Sequence, residues 1–202
     1  MDATRLTLLT LGDSNTIGEC VTAAECWPVQ LAGALRATGL GTEEPRIVAK
    51  TGWTTDELLT AIAAEQITET FDIVSVLVGV NNQYRGRASG EFREQFCDVL
   101  AQAIEFAGRR AARVFVLSIP DWGVMPFAEG RDRAKIAAEI DEFNVIAQQE
   151  AARLGVNWVD ITPTSRDLQP GWAADDGLHP SSLQYAAWVA LVLPAVQAAL
   201  AG

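Results

Sequence analysis

The sequence contains one histidine, His179, and three cysteines, Cys20, Cys26 and Cys97. A single imidazole excludes a zinc site with two or more histidine ligands, and the cysteine spacing fits no zinc motif. An odd, sparse set of cysteines also excludes a disulfide-built scaffold. Cys20 and Cys26 flank a short loop, and a reduced pair is expected there. Positive charge is scarce too. Lys and Arg number 15 against 26 Asp and Glu, a net charge of −11. That balance repels a phosphate backbone, so no nucleic-acid partner is expected. It disfavours an anionic membrane surface in the same way. No run of 18 apolar residues suggests a membrane span, so no stable membrane insertion is expected. The N-terminus lacks a basic stretch followed by a long apolar one, the pattern of a secretory signal. A cytoplasmic protein is expected, although a mature secreted form fits the same sequence.

What is present is a globular composition. Hydrophobic residues make up 49% and charged residues 20% of 202, which suits one domain over residues 1–202. Short apolar runs alternate with helical stretches. Runs at 6–11, 46–49, 73–78, 113–118 and 156–159 read as buried strands, the third being the most β-branched. Helical spacing covers 27–38, 54–69, 91–108, 132–154 and 181–201, with Thr54 and Glu57 forming a capping box and Pro194 a potential kink. Five strands separated by helices imply right-handed crossovers, a parallel sheet and an α/β/α sandwich. Two long loops, 81–90 and 120–130, follow strands. In open α/β sheets that is where ligands bind.

Reactive residue types gather at the strand ends. Gly12-Asp13-Ser14 follows the first strand, where a serine on a tight turn can present its hydroxyl and its own N–H. By itself this is also a common turn sequence. Asp176 and His179, three apart, can share one side of a turn, so the carboxylate orients one ring nitrogen and leaves the other as a base. A lone histidine after a polar loop is equally a surface side chain. Gly52 and Asn81 stand past the second and third strands. With Ser14 they supply three donors at neighbouring strand ends, the composition of an oxyanion hole. Gly52 and Gly79 also read simply as strand terminators.

In their order, Gly12-Asp13-Ser14, Gly52, Gly79-Val80-Asn81 and Asp176-Gly177-Leu178-His179 resemble the four blocks of the SGNH/GDSL hydrolase family. The resemblance runs from residue 8 to 180. It implies a flavodoxin-like sheet of order 2-1-3-4-5 and ester hydrolysis through an acyl-enzyme. It further implies Ser14, Asp176 and His179 as catalytic residues, an oxyanion hole of Ser14, Gly52 and Asn81, and no metal or organic cofactor. Two positions depart from the family pattern. Asn82 replaces the usual Asp, and Asn15 follows the Asp-Ser pair where the family has leucine.

The expected partner is a small-molecule ester, with Asp13, Trp53, Asn82, Tyr84 and Trp122 as substrate contacts. Trp27 and Trp172 lie in segments that should also be near the site, while Trp158 and Trp188 read as core. The segment 83–87 carries two arginines that could meet an anionic substrate group. The apolar loop 120–130 is expected to form a pocket wall or lid, or else the contact of a homodimer. Short-chain esters are the leading substrates. Longer acyl chains, as in a lysophospholipase or thioesterase, are one alternative. A non-catalytic ligand-binding module on a flavodoxin-like sheet is the other.

Overall fold

The structure of the protein, a computed structural model, describes residues 5–201. Five parallel strands, β1 (Leu8–Gly12), β2 (Arg46–Ala49), β3 (Ile73–Leu77), β4 (Val114–Leu117) and β5 (Asn157–Val159), form one sheet in the order β2-β1-β3-β4-β5. The α/β sandwich and its strand order match the expectation. Leu9 pairs with Arg46 on one side and Val74 on the other, placing Gly12 beside Ala49 and Leu77 at the carboxyl edge.

Successive side chains on a strand point to opposite faces. Leu9, Leu11, Val74, Val76, Val114 and Val116 therefore fall in one core cluster. Leu8, Ile73, Leu77, Phe115 and Leu117 fall in the other. The first face is covered by α3 (Thr55–Glu65), α5 (Ser89–Phe106) and α6 (Arg133–Leu154). The second is covered by α2 (Trp27–Ala37) and α8 (Ser182–Ala201). With both faces covered, the strands are apolar without alternation, as the third strand's sequence showed.

Several boundaries differ from the sequence reading. The first strand starts at Leu8 and includes Gly12, and the fourth spans Val114–Leu117. The helix expected to reach residue 69 stops at Glu65, where Gln66 turns left-handed. The segment 81–90 is not a loop, because α4 (Val80–Tyr84) fills its first half and α5 begins at Ser89. Two further short helices, α1 (Ser14–Ile17) and α7 (Thr162–Arg166), also went unforeseen. Segment 120–130 winds into two 3-10 turns, Trp122–Val124 and Pro126–Ala128. Helix α8, which continues through Pro194, is long and apolar enough by composition to cross a membrane. That corrects the expectation that no segment has this property. Its Tyr185, Trp188, Val192 and Val196 are nonetheless built into the core.

Candidate active site

The chain leaves β1 through Gly12, whose tightness dictates its identity. A Cβ there would lie 2.1 Å from Thr16 Oγ1 and 2.4 Å from the Leu77 carbonyl oxygen. Asp13 then caps α1, its Oδ1 accepting from Asn15 N at 3.0 Å. Ser14 becomes the first residue of that short helix, 5% exposed, on the wall of a cavity of about 200 Å³.

A second loop enters the same cavity from the far end of the chain. Residues 172–181 fold back on themselves, with Ala174 N donating to His179 O at 2.8 Å and Ser181 N to Trp172 O at 2.7 Å. Within this loop Asp176 Oδ1 accepts from Leu178 N at 2.9 Å and His179 N at 3.0 Å. Its Oδ2 lies 2.6 Å from His179 Nδ1. Partial burial pushes the Asp176 carboxyl up, but the His179 side chain and the two backbone donors outweigh it. The group is held well below the usual carboxylate range. The pairing leaves His179 Nε2 as the ring's free nitrogen, and His179 lines the cavity.

The third component is the turn after β2. Trp53 N donates to Lys50 O at 3.2 Å, closing a turn whose third residue, Gly52, has φ +86°. That is a position where glycine is favoured. The fourth is α4, entered through Gly79 at φ +130°, where a Cβ would lie 2.7 Å from Ile119 Cδ1. Asn81 Nδ2 donates to Trp53 O at 2.9 Å. An amide nitrogen carries two hydrogens, so a second donor remains. Ser14, Gly52, Asn81 and His179 thus border one cavity.

Of the five expected substrate contacts, Tyr84 and Trp122 line this cavity. The other three do not. Asp13 is 1% exposed and faces inward as the helix cap, and burial pushes its carboxyl up to about 7. Asn82 is buried and holds Thr55, accepting from its N at 3.1 Å and donating to its Oγ1 at 2.8 Å. The second bond needs an amide, which gives asparagine a job that an ionised aspartate could not do. Trp53 packs on the core, and its contribution is the carbonyl held by Asn81. Trp27 is fully buried in the core and Trp172 lies outside the lining. The arginines of 83–87 are committed to protein partners. Arg85 pairs with Glu57, and Arg87 with Asp56 and Glu91.

The sequence reading did not name Asn15, Thr51, Val80, Leu178 or Pro180 as lining residues, and Asp121 lines the cavity from within the segment 120–130 expected as its wall. The first five each adjoin a motif residue, the one signal that could have found them. Cys20 was also missed as a neighbour of the pair. Its sulfur, an Asp176 oxygen and a His179 nitrogen lie within 4.8 Å of one another. Desolvation and the Asp176 carboxylate push its thiol up, away from the reactive thiolate. Cys20 and Cys26 are both free thiols.

The segment 120–130 is the apolar wall. Trp122 Nε1 donates to Gln83 Oε1 at 2.8 Å, and the Trp122 and Tyr84 rings meet edge-on at 5.3 Å. Phe127 N donates to Gly177 O at 2.9 Å, docking the wall against the loop that carries Asp176 and His179.

A family model described as the GDSL-like lipase/acylhydrolase family matches residues 10–187. No curated protein matches the chain. Among solved structures, a lipase/acylhydrolase from Enterococcus faecalis is similar, with a TM-score of 0.74 at 23% identity over 96% of each chain. Axe2, an acetylxylan esterase from Geobacillus stearothermophilus, superposes with a TM-score of 0.72 at 19% identity, over 95% of this chain and 94% of its own. The psychrotrophic esterase EstA from Pseudoalteromonas sp. gives 0.74 at 15% identity, over 97% of this chain and 99% of its own.

Proposed function

The chain belongs to the GDSL-like lipase/acylhydrolase family, and from that premise we propose that it is a serine esterase that cleaves short-chain carboxylic esters through an acyl-enzyme. The observation that carries the reading is the 2.6 Å contact of Asp176 with His179 Nδ1, on a ring that borders the same cavity as Ser14. A binding module would leave that pair without a task.

In this mechanism Asp176 stays ionised, accepts from Nδ1–H and so presents Nε2 as a base. Nε2 takes the Ser14 hydroxyl proton as Oγ attacks the ester carbonyl carbon. The carbonyl oxygen becomes an oxyanion held by the Ser14 and Gly52 N–H groups and the second amide hydrogen of Asn81. Collapse of the tetrahedral intermediate breaks the ester C–O bond, and imidazolium gives its proton to the departing alcohol. Water, deprotonated by Nε2, then attacks the acyl-Ser14 ester. The acid leaves, and Ser14 regains its proton from the imidazolium.

The short-chain preference rests on the cavity. At about 200 Å³ it falls below the roughly 300–1,000 Å³ of sites for larger ligands. Its apolar side is closed by Val80, Trp122, Met125 and Leu178. The test is hydrolysis of p-nitrophenyl esters from acetate to decanoate, wild type beside Ser14→Ala. Ser14-dependent turnover that falls beyond butyrate is expected. Turnover rising toward decanoate would favour a long-chain acylhydrolase instead. Turnover that survives Ser14→Ala would remove the nucleophile assignment.

A further inference from the structure

The oxyanion-hole donor Gly52 sits in a turn with little of its own to hold it. Glycine has the widest backbone freedom of any residue, and the turn's one internal backbone bond is the long contact from Trp53 N to Lys50 O, 3.2 Å. What fixes the turn comes from α4. Two side chains four residues apart lie on one face of a helix, and in α4 and its C-cap those are Asn81 and Arg85. They grip successive carbonyls of the turn. Asn81 Nδ2 donates to Trp53 O at 2.9 Å, and Arg85 Nη2 donates to Gly52 O at 2.5 Å. Arg85 is in turn braced by Glu57, whose Oε1 lies 3.3 Å from Nη1. The other oxygen of Glu57 accepts from Thr54 N at 2.9 Å, capping α3. A chain of charge-assisted bonds thus runs from the start of α3 through Arg85 to the Gly52 carbonyl. A Cβ on Gly52 would lie 3.5 Å from Arg85 Nη2, so the guanidinium packs directly on the glycine.

We infer that Arg85 is a positioning residue for ester hydrolysis: by holding the Gly52 carbonyl it fixes the peptide that follows Gly52, and so limits the turn of the Gly52 backbone that would swing the N–H on the other side of its Cα away from the oxyanion. The inference rests on the esterase reading. Arg85 is absent from the cavity lining, so it acts through Gly52 and does not touch the acyl group. A hydrogen bond to an ionised donor is stronger than a neutral one, and holding a carbonyl stops rotation about ψ at the one residue most able to rotate. A donor held in place matters in the transition state, when charge gathers on oxygen, more than in the bound ester. Loss of Arg85 should therefore appear in kcat and not in KM.

The experiment compares wild type, Ser14→Ala, Arg85→Ala, Arg85→Met and Arg85→Lys on p-nitrophenyl acetate, with thermal melts of each. Arg85→Met keeps the aliphatic stem without the donors, and it serves if Arg85→Ala does not fold. Arg85→Ala and Arg85→Met should lower kcat about tenfold with KM changed less than about twofold, because small misplacements of a catalytic group carry losses of this order or more. Arg85→Lys, which can still donate to Gly52 O, should recover at least about a third of the lost rate. Guanidinium ion added to Arg85→Ala should raise kcat and leave Ser14→Ala inert. If wild type shows no Ser14-dependent turnover, the esterase reading fails. If wild type turns over through Ser14 but folded Arg85→Ala or Arg85→Met keeps kcat within about twofold, the positioning role alone fails. A loss expressed in KM, or one that lysine leaves unrepaired, would overturn it as well.

Discussion

Replacing Asp13 with asparagine should make the protein more stable, and increasingly so as pH rises toward neutrality. Asp13 is 1% exposed; Oδ1 accepts from Asn15, while Oδ2 is buried with no partner among the described residues. Burial pushes its carboxyl from an ordinary 3.8 up to about 7, against the opposing hydrogen bonds from Asn15. Between those two values the unfolded chain has released the proton and the folded chain still holds it. The folded state then binds more protons, so wild-type stability falls as pH climbs through the window and levels off above about 7. A gap of about three units corresponds to about 4 kcal/mol at most. Asparagine mimics the protonated acid, keeps the Oδ1 that caps α1, and does not titrate. Urea unfolding of Asp13→Asn and wild type at pH 4.5, 5.5, 6.5 and 7.5 (assay points set at about one-unit spacing across the window) measures the difference directly. The stability of the variant minus that of wild type should grow with pH up to about 7 and then stay flat. A difference that is flat throughout, or shrinks as pH rises, would refute the reasoning.

Asp176→Asn should lower kcat by about 10⁴, because the amide offers Nδ1 a donor and selects the wrong tautomer. Asp175→Asn should retain most activity, and equal losses from the two would reassign the carboxylate. Trp122→Ala should shift the preference toward longer acyl chains while costing about 3–5 kcal/mol of stability. The ratio of hexanoate to acetate hydrolysis reads the first effect and denaturant unfolding the second, and an unchanged ratio would remove Trp122 from the acyl wall.

The sheet was legible because a strand covered on both faces leaves a compact apolar run, as Ile73–Leu77 does. The short helices were not. In the five residues of α4, Val80–Tyr84, there is too little length for a 3.6-residue period to show. The site divides along the same line. Ser14, Gly52, Asn81, Asp176 and His179 were readable because each depends on local turn chemistry that leaves a mark in sequence. Asp13 and Asn82 were misplaced for a geometric reason. A residue next to a site residue points elsewhere when the backbone turns, inward at the cap for Asp13 and about 100° around the helix for Asn82. Arg85 was read as a possible contact for an anionic substrate group, and nothing local marked it as a strut. Tertiary approach of α4 to the turn after β2 put it behind Gly52.

Those tertiary ties also decide how the apolar segment 120–130 behaves. A lid needs an edge that can leave the protein at little energetic cost. Here Asp121 pairs with Arg166 at 2.8 Å and Trp122 is bonded to Gln83. The Arg131 guanidinium lies over the rings of Phe127, Trp122 and Tyr84, 4.8 to 5.6 Å from their centroids. Arg133 donates to the Val124 and Met125 carbonyls. Phe127 N is bonded to Gly177 O, so lifting the segment would pull on the loop that presents Asp176 and His179. Opening would thus disturb the Asp176–His179 pair that a lid would have to leave in place. The segment is better described as a fixed wall, and under the proposed esterase reading a fixed wall would set the acyl length by exclusion. Hydrogen exchange should find its amides protected to the same degree with and without a bound ester analogue. Protection that appears only with the analogue would return the segment to the role of a lid.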